Sequence, residues 1–320
     1  MRTAMVMLLA FCLDLVMGDP RWLPHPVREM GRAISALEKG LRGLFPATPG
    51  GERAAGAVLA LVLPVGSFWL GWAVLWLCDR LAPWLGLAAE VLLCSQCLAA
   101  RELKKESMAV YRELERGDLS AARTAVGRIV GRDTGSLTAE GVTKAAVETV
   151  AENTSDGEIA PLFWMAIGGA PLALAYKAVN TMDSMVGYRN EKYQYFGTAA
   201  ARLDDLVNWL PARMAALVMV ALCPLAGLDA EGAFRVWRRD RKKHKSPNSA
   251  QTEAAMAGAL GVQLAGDAWY FGELHHKPTL GDDLRPVRPA DIKKADQLMY
   301  WASGAFLLLA AWGRMAVSLL

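Results

Sequence analysis

The feature that most constrains this chain is an uncharged run from Ala54 to Cys78, bounded by Arg53 and Asp79. A helix needs about 20 mainly apolar residues to cross the ~30 Å hydrocarbon core of a bilayer. Three tryptophans lie toward one end of the run, as indole rings do at membrane interfaces. The chain as a whole is 53% hydrophobic and 21% charged. The sequence therefore predicts an integral membrane protein.

Further apolar runs indicate that the chain meets the bilayer repeatedly. Apolar segments are predicted at about residues 3–17, 54–78, 81–100, 159–176, 207–228 and 297–314. The polar stretches between them are longer than turns and show helical periodicity. We expect an all-α, polytopic integral membrane protein, with residues 1–320 in one membrane domain and with helical loops in the cytoplasm.

The segment Ile159–Tyr176 is uncharged but contains Pro161, Gly168, Gly169 and Pro171. Glycine and proline at these positions predict a broken helix, as in membrane segments that line a binding site. Two topologies stay open. A full crossing places residues 177–206 on the opposite face from residues 101–157 and 229–296, whereas a re-entrant segment does not.

A basic tract runs from Arg235 to Lys245, directly after an apolar segment. Lysine and arginine beside a membrane segment favour the cytoplasmic side, so residues 229–296 are predicted there, in a multi-pass protein of the inner membrane with a cytoplasmic active site. The tract can serve as this anchor, attract anionic lipid, or bind phosphate. A net charge of +3 does not support nucleic-acid binding.

Four polar patches are richer in chemistry than their apolar surroundings. The first, Gly18–Arg28, holds three prolines that fix the backbone of a loop presenting Asp19, His25 and Arg28. Rigid placement of polar groups is one interpretation of this loop. The other is a turn in which His25 caps the next helix.

The second patch, Glu148–Glu158, places Glu148, Glu152 and Asp156 four residues apart. On a continuous helix these carboxylates share one face, where a cation such as Mg²⁺ would relieve their repulsion. The alternative, which the residues alone favour, is a solvated acidic face at a helix end.

In the third patch, Lys177, Asn180, Asp183, Ser184 and Gly187 follow helical spacing, interleaved with apolar residues. Lysine and aspartate on one face, directly after a membrane segment, indicate function more than packing.

The fourth patch contains Asp204, Asp205 and Asn208, one turn apart, at a membrane entrance marked by Trp209. They can form a second set of metal ligands or cap the following helix. Farther along, Ser246–Ser249 predicts a turn and helix start that can bind phosphate through backbone N–H groups. The chain has neither a P-loop nor a Gly-x-Gly-x-x-Gly motif, so a nucleotide site must be of another kind.

Together the patches resemble the CobD/CbiB family of cobalamin biosynthesis, the adenosylcobinamide-phosphate synthases. The resemblance runs nearly end to end and rests on long motifs, which are Gly18–Arg28, Glu148–Gly157, Tyr176–Asn190, Ala201–Arg213, Ser246–Ser249 and Glu253–Gly258. The sequence departs from the family pattern at Ala250-Gln251-Thr252, where glycine, an aromatic residue and proline are expected.

The resemblance implies a ligase that joins adenosylcobyric acid, a corrinoid, to (R)-1-aminopropan-2-ol or its O-phosphate, using ATP and Mg²⁺. The product would be adenosylcobinamide or its phosphate. A non-catalytic corrinoid carrier, or a scaffold for pathway enzymes, is the alternative. Association with other membrane enzymes of cobalamin assembly is a further expectation.

At the matching positions, residue chemistry suggests individual roles. The predicted catalytic residues are His25, as base for the amine, with Lys177 and Asp183. The predicted substrate-binding residues are Asp19, Arg28, Asn153, Asn180, Ser184, Tyr188, Arg189, Asn208, Ser246 and Asn248. The predicted metal ligands are Glu148, Glu152, Asp156, Asp204 and Asp205.

Overall fold

The computed structural model describes residues 1–20, 22–188 and 190–317, and these are almost entirely helical, as predicted. The helices are α1 Arg2–Met17, α2 Pro26–Leu44, α3 Pro49–Leu81, α4 Pro83–Ser95, α5 Ala100–Glu115, α6 Leu119–Val126, α7 Ala139–Asn153, α8 Ala160–Val186, α9 Thr198–Val207, α10 Trp209–Leu222, α11 Ala230–Asp240, α12 Ser249–Leu260 and α13 Ala290–Val317. A π-helical turn, Thr154–Ile159, follows α7, and a 3₁₀ turn, Cys223–Ala226, follows α10.

Four helical stretches in the described part are long and apolar enough to cross a membrane. They are Pro49–Leu81, Pro83–Glu115, Ala139–Val186 and Trp209–Ala226. On α3 the indoles of Trp69, Trp72 and Trp76 are exposed, which suits a lipid-facing surface. These helices confirm the prediction of a membrane protein. The predicted apolar segments 3–17 and 297–314 are helical but are not among the candidate spans of the described part.

The chain divides into two compact units, each assembled from separate parts of the sequence. The first unit comprises Met1–Ala99, Ala160–Asn208 and Leu307–Leu320. The second comprises Ala100–Ile159 and Trp209–Phe306. The single membrane domain expected for residues 1–320 stays a prediction.

In the first unit, α3 packs against α2, α4, α8 and α9, while α1 packs against α4 and α8. Thr48 starts α3, because its hydroxyl accepts a hydrogen bond from the Gly51 N–H and Pro49 presets the first helical turn. Glu90, the one charge in the second apolar run, pairs with Arg2 at 3.0 Å. The ion pair explains how an apolar helix tolerates a carboxylate.

Helix α8 is broken at Gly168 and Gly169, as its glycine and proline content predicts. Gly169 has a φ of 64°, in the left-handed region that glycine adopts without strain. Helical geometry then resumes and continues to Val186. The helix predicted for the stretch beginning at Lys177 is therefore confirmed.

In the second unit, α5, α6 and α7 pack together, and α12 packs against α7, α10 and α11. Helices α11 and α12 approach closely, since a Cβ on Gly258 would lie 2.8 Å from the Ala233 Cα. Two short antiparallel pairs, absent from our prediction, follow α12: Leu264–Ala265 with Thr279–Leu280, and Ala268–Tyr270 with Glu273–His275. Strands this short leave no periodicity in the sequence.

Candidate functional site

The loop before α2 holds the first group of predicted residues, all in the first unit. His25 is buried and is the N-cap of α2, with Nδ1 accepting from the Val27 N–H at 3.3 Å. Its Nε2 lies 3.0 Å from Asp19 Oδ1. Because Nδ1 accepts, a neutral ring carries its proton on Nε2 and donates it to Asp19.

The capping alternative for His25 is thus confirmed. Neither ring nitrogen keeps a free lone pair in this arrangement, so the predicted role as base requires the bond to Val27 to open. Arg28 is exposed and its guanidinium donates to the Leu23 carbonyl. From α4's end, buried Gln96 donates to the Pro24 carbonyl at 2.8 Å and fixes the loop.

A cavity of about 740 Å³ opens beside this loop, within the first unit. Most of its lining is apolar and comes from α2, α3 and α4, including Met30, Leu63 and Leu70. His25, Glu29 and Gln96 add polar groups. An apolar wall with a few polar groups is typical of sites for organic ligands.

The third and fourth patches meet in one cluster between α8 and α9, here named the Asp183–Asp204 cluster. Asp204 is 8% exposed and Asn208 is fully buried. The Tyr176 hydroxyl donates to Asn208 Oδ1 at 2.9 Å. Asn180 completes the cluster, since its side chain acts on the Asp204 carboxyl. Sequence spacing predicts each helix face but not that the two faces join.

Burial and the nearby charge of Asp183 raise the pKa of Asp204 to about 7. The side-chain amides of Asn208 and Asn180 act in the opposite direction by hydrogen bonding. Two carboxyl groups this close either share a proton or attract a cation. Asp204 Oδ1 has no hydrogen-bond partner among the described residues, so it can accept one from a ligand.

Other residues of the third patch occupy varied positions. Lys177 and Asp19 both act electrostatically on the buried thiol of Cys97, so each charge lies within electrostatic range of that thiol. Ser184 is exposed, and its hydroxyl donates to the Asn180 carbonyl of its own helix. Tyr188 is half-buried just after α8, and Arg189 lies outside the described residues.

The second unit contains a separate charged group on α7. Glu148 is only 4% exposed, so the solvated acidic face favoured from the sequence is wrong for this residue. One carboxylate oxygen pairs with Arg132, and the other accepts from the Ala265 N–H at 2.7 Å. A buried carboxylate is stable only when it is paired and hydrogen-bonded in this way.

Glu152 and Glu253 extend this group, here named the Glu148–Glu253 cluster. The Ser249 hydroxyl donates to Glu152 Oε1 at 3.0 Å, which links α7 to the start of α12. Burial, followed by the charges of Glu152 and Glu148, raises the pKa of Glu253 well above its ordinary value. Lys277 and Arg132 partly offset this effect. Three carboxyl groups thus face two cations in this cluster.

The predicted three-carboxylate metal site does not form as expected. The π-helical turn starts at Thr154, so Asp156 leaves the α-helical register of Glu148 and Glu152. Among residues 1–20, 22–188 and 190–317, no group of three His, Cys, Asp or Glu side chains is placed to hold a metal ion. Asn153 donates to the Thr149 carbonyl of its own helix.

Asp205 is half-buried beside Asp204, and both lie inside α9. At the start of α12, the Ser246 hydroxyl accepts from the Asn248 N–H at 3.3 Å. Asn248 is buried and is the N-cap residue, so the predicted turn and helix start are confirmed.

Sequence reasoning missed several residues that complete these groups. They are Gln96, Arg132 and Lys277, with Tyr176 and Glu253 noticed only as parts of motifs. Arg132 lies in a polar turn between α6 and α7, and no sequence pattern there indicates that it pairs with Glu148. A lone polar residue inside an apolar run, as at Gln96, is the one signal that could have been used.

The fold and these sites define a class: a polytopic helical membrane protein whose ionisable residues cluster inside its two units. The model of the CobD/Cbib protein family matches residues 7–299. The chain therefore belongs to the CobD/CbiB family, and its role lies in cobalamin biosynthesis.

Curated relatives agree with this assignment over nearly the whole chain. The "Cobalamin biosynthesis protein CobD" of Geobacter metallireducens is 52% identical, with 96% of this chain and 95% of the relative covered. The "Cobalamin biosynthesis protein CbiB" of Salmonella choleraesuis is 45% identical, covering 98% and 99%. No solved structure matches the chain.

Proposed function

We propose that this protein is an ATP-dependent amide synthase that joins the carboxylate of adenosylcobyric acid to (R)-1-aminopropan-2-ol or its O-phosphate. In the proposed reaction, a phosphoryl group passes from ATP to the carboxylate and leaves ADP. The neutral amine then displaces phosphate from the acyl phosphate and loses one proton, which leaves one N–H on the amide. The sum is one amide, ADP and inorganic phosphate for each ATP.

The observation that carries the proposal is the Asp183–Asp204 cluster. An amine attacks only when neutral, so the reaction needs a group that accepts a proton near neutral pH. Asp204 suits this role because burial and Asp183 raise its pKa to about 7. Since no group of three His, Cys, Asp or Glu side chains in the described part is placed to hold a metal ion, we assign the pair proton transfer rather than metal binding.

The Glu148–Glu253 cluster supports the same reaction from the second unit. Arg132 and Lys277 supply positive charge there, and Glu152 supplies a carboxylate. Both oxygens of Glu148 are already engaged, so its proposed role is to hold Arg132 in place. Mg²⁺ enters as the counter-ion of the ATP substrate, with Glu152 the candidate carboxylate, because Mg²⁺ in such sites is held chiefly by phosphates and water.

Lys177 is proposed to stabilise negative charge that develops on the reacting carboxyl group. It lies in α8 on the same segment as Asp183, and its charge acts in the interior of the first unit. The cavity of about 740 Å³ offers an apolar surface for part of the corrinoid.

The test uses purified full-length protein in detergent, supplied with ATP, Mg²⁺, each form of the amine and adenosylcobyric acid. We expect equal amounts of ADP and amidated corrinoid. Asp204→Asn should lower kcat by about 10²-fold or more, as expected for loss of a proton acceptor. Asp118→Asn, at the N-cap of α6, is the matched control and should keep kcat within about twofold of the unchanged protein.

A corrinoid carrier is the alternative class, and the break in α8 at Gly168 and Gly169 is the observation that favours it. A carrier would bind the corrinoid, release no ADP and form no amide. In that case Lys177→Ala and Asp204→Asn would change corrinoid affinity or transport without a chemical product, and the synthase proposal would be abandoned.

A further inference from the structure

A second cavity, in the second unit, is lined mainly by basic side chains. Its volume is about 470 Å³, within the range of sites for small molecules. The basic residues in its wall are Arg213, Arg241, Lys242, His244 and Lys245, and none of the described lining residues is acidic. So many cations facing one cavity repel each other unless an anion joins them.

Some cations of the basic tract pair with carboxylates of the protein, and others line the cavity. Arg239 and Lys243 pair with buried Asp240, and Arg239 also pairs with Asp282, so these two cations stabilise the fold. Within the described part, Arg241 and Lys242 form no ion pair with a carboxylate, and the same is true of Lys245 and Arg213. Four of the basic side chains in the wall therefore have no carboxylate counter-ion in the described part of the chain.

The backbone that carries these cations is held at both ends by Gln251. Its amide nitrogen lies 3.4 Å from the Arg241 carbonyl and 3.1 Å from the Pro247 carbonyl. Its oxygen accepts from the Trp237 indole N–H at 3.0 Å. Gln251 is 2% exposed, so the segment 241–247 is anchored from inside the protein.

Two arginines of the cavity are also positioned by aromatic rings. The Arg213 guanidinium lies 4.2 Å from the ring centre of Trp209, and Arg241 lies 4.5 Å from that of Trp237. Arg213 also donates to Asn248 Oδ1 at 3.3 Å. Guanidinium groups held in this way lose little freedom when they bind phosphate oxygens.

We infer that this cavity binds the polyphosphate group of a nucleotide. Several cations and a volume of about 470 Å³ suit a chain of phosphates better than one carboxylate or one phosphate monoester. The choice of nucleotide rests on the proposed function, which requires ATP. An anionic lipid headgroup carries the same phosphate chemistry. It is the competing source because the candidate membrane span that contains α10 begins at Trp209, which lines the cavity.

The experiment measures binding by calorimetry, with the full-length protein in detergent and with inorganic tripolyphosphate and ATP as separate probes. Both should bind to the unchanged protein. Arg241→Gln should weaken both about tenfold, the cost of roughly one charge-assisted hydrogen bond. Lys245→Gln, at a more exposed position, should weaken them in the same direction.

Arg238→Gln is the matched control, because it removes the same charge from the same tract but does not line the cavity. It should leave both affinities within about twofold, as usual for surface substitutions. Equal weakening by Arg238→Gln and Arg241→Gln, or no binding of either probe, overturns the inference. Melting curves of each variant check that the fold is kept.

A vesicle arm separates the two phosphate sources. If phosphatidylglycerol vesicles displace tripolyphosphate, and ATP does not bind in the absence of vesicles, the cavity is a lipid site and the nucleotide inference is wrong. The amide assay separates this result from the proposed function. If Arg241→Gln forms amide with an unchanged KM for ATP, only the inference about the cavity is rejected. If polyphosphate binding depends on Arg241 but no amide forms, only the synthase proposal is rejected.

Discussion

The Tyr176 hydroxyl donates a 2.9 Å hydrogen bond to Asn208 Oδ1 and so ties α8 to the C-terminal end of α9. The Asn208 backbone N–H bonds to the Asp204 carbonyl at 3.0 Å, so the amide that Tyr176 holds belongs to the same helical turn as Asp204. Asp183 stands two helical turns beyond Tyr176 on α8. This buried bond thereby joins the two helices that carry Asp183 and Asp204.

Tyr176→Phe should therefore lower both stability and activity. Tyr176 is 2% exposed, and its loss leaves a buried amide oxygen without its donor, which costs about 1–3 kcal/mol. Thermal melting in detergent measures the first effect and amide formation the second. Tyr195→Phe is the control, since the hydroxyl of Tyr195 makes no hydrogen bond within the described residues. Equal melting temperatures for the two variants would contradict the expectation.

The raised pKa of Asp204 predicts how stability changes with pH. Folding favours the protonated carboxyl, because its pKa is about 7 in the fold against 3.8 ordinarily. This contribution is complete below pH 4 and disappears as the pH rises through 7. Asp204→Asn should flatten melting temperature against pH between 4 and 7 and raise it above 7. Asp118→Asn should leave this slope in place.

The buried pair of Arg132 and Glu148 should be sensitive to loss of one partner. Arg132→Gln leaves a buried carboxylate without its cation, which costs about 3–5 kcal/mol. Arg128→Gln is the matched control, because Arg128 pairs with Glu106 at an exposed position where an ion pair contributes about 1 kcal/mol or less. Chemical unfolding in detergent compares them. Similar losses in both variants would mean that burial does not govern this pair.

Gln251 should control the order of the basic segment that it anchors. Gln251→Ala removes a donor for the Arg241 and Pro247 carbonyls and an acceptor for the Trp237 indole. We expect trypsin to cleave after Arg241 and Lys245 several times faster, because the segment opens locally more often. Gln297→Ala, at an exposed position of α13, should not change the rate. Unchanged cleavage in Gln251→Ala would show that other contacts hold the segment.

Gln251 belongs to the three residues at which the sequence departs from the family pattern, and the structure shows which groups it bonds to. The sequence alone shows only that Ala250-Gln251-Thr252 departs from the family pattern. In the structure, all three residues are buried in α12, and the Gln251 amide supplies the bonds that close the basic segment. Residues 250–252 thus continue the helix that begins at Ser249.

The sequence by itself determined the helical class, the four segments that are long and apolar enough to cross a membrane, and the polar faces. The uncharged run Ala54–Cys78 and the spacing from Lys177 to Asp183 are local patterns, and helix formation depends mainly on local periodicity. Even the break at Gly168 and Gly169 could be predicted, because glycine and proline act on their own backbone.

Only the tertiary structure decided which polar groups meet. Asp183 and Asp204, or Arg132 and Glu148, stand on separate elements, and no spacing along the chain indicates that they are neighbours. Their burial, and with it the pKa of Asp204, depends on the packing of several helices at once. Ionisation is set by the surroundings of a carboxyl group in space, whereas a sequence pattern specifies only its place along one helix.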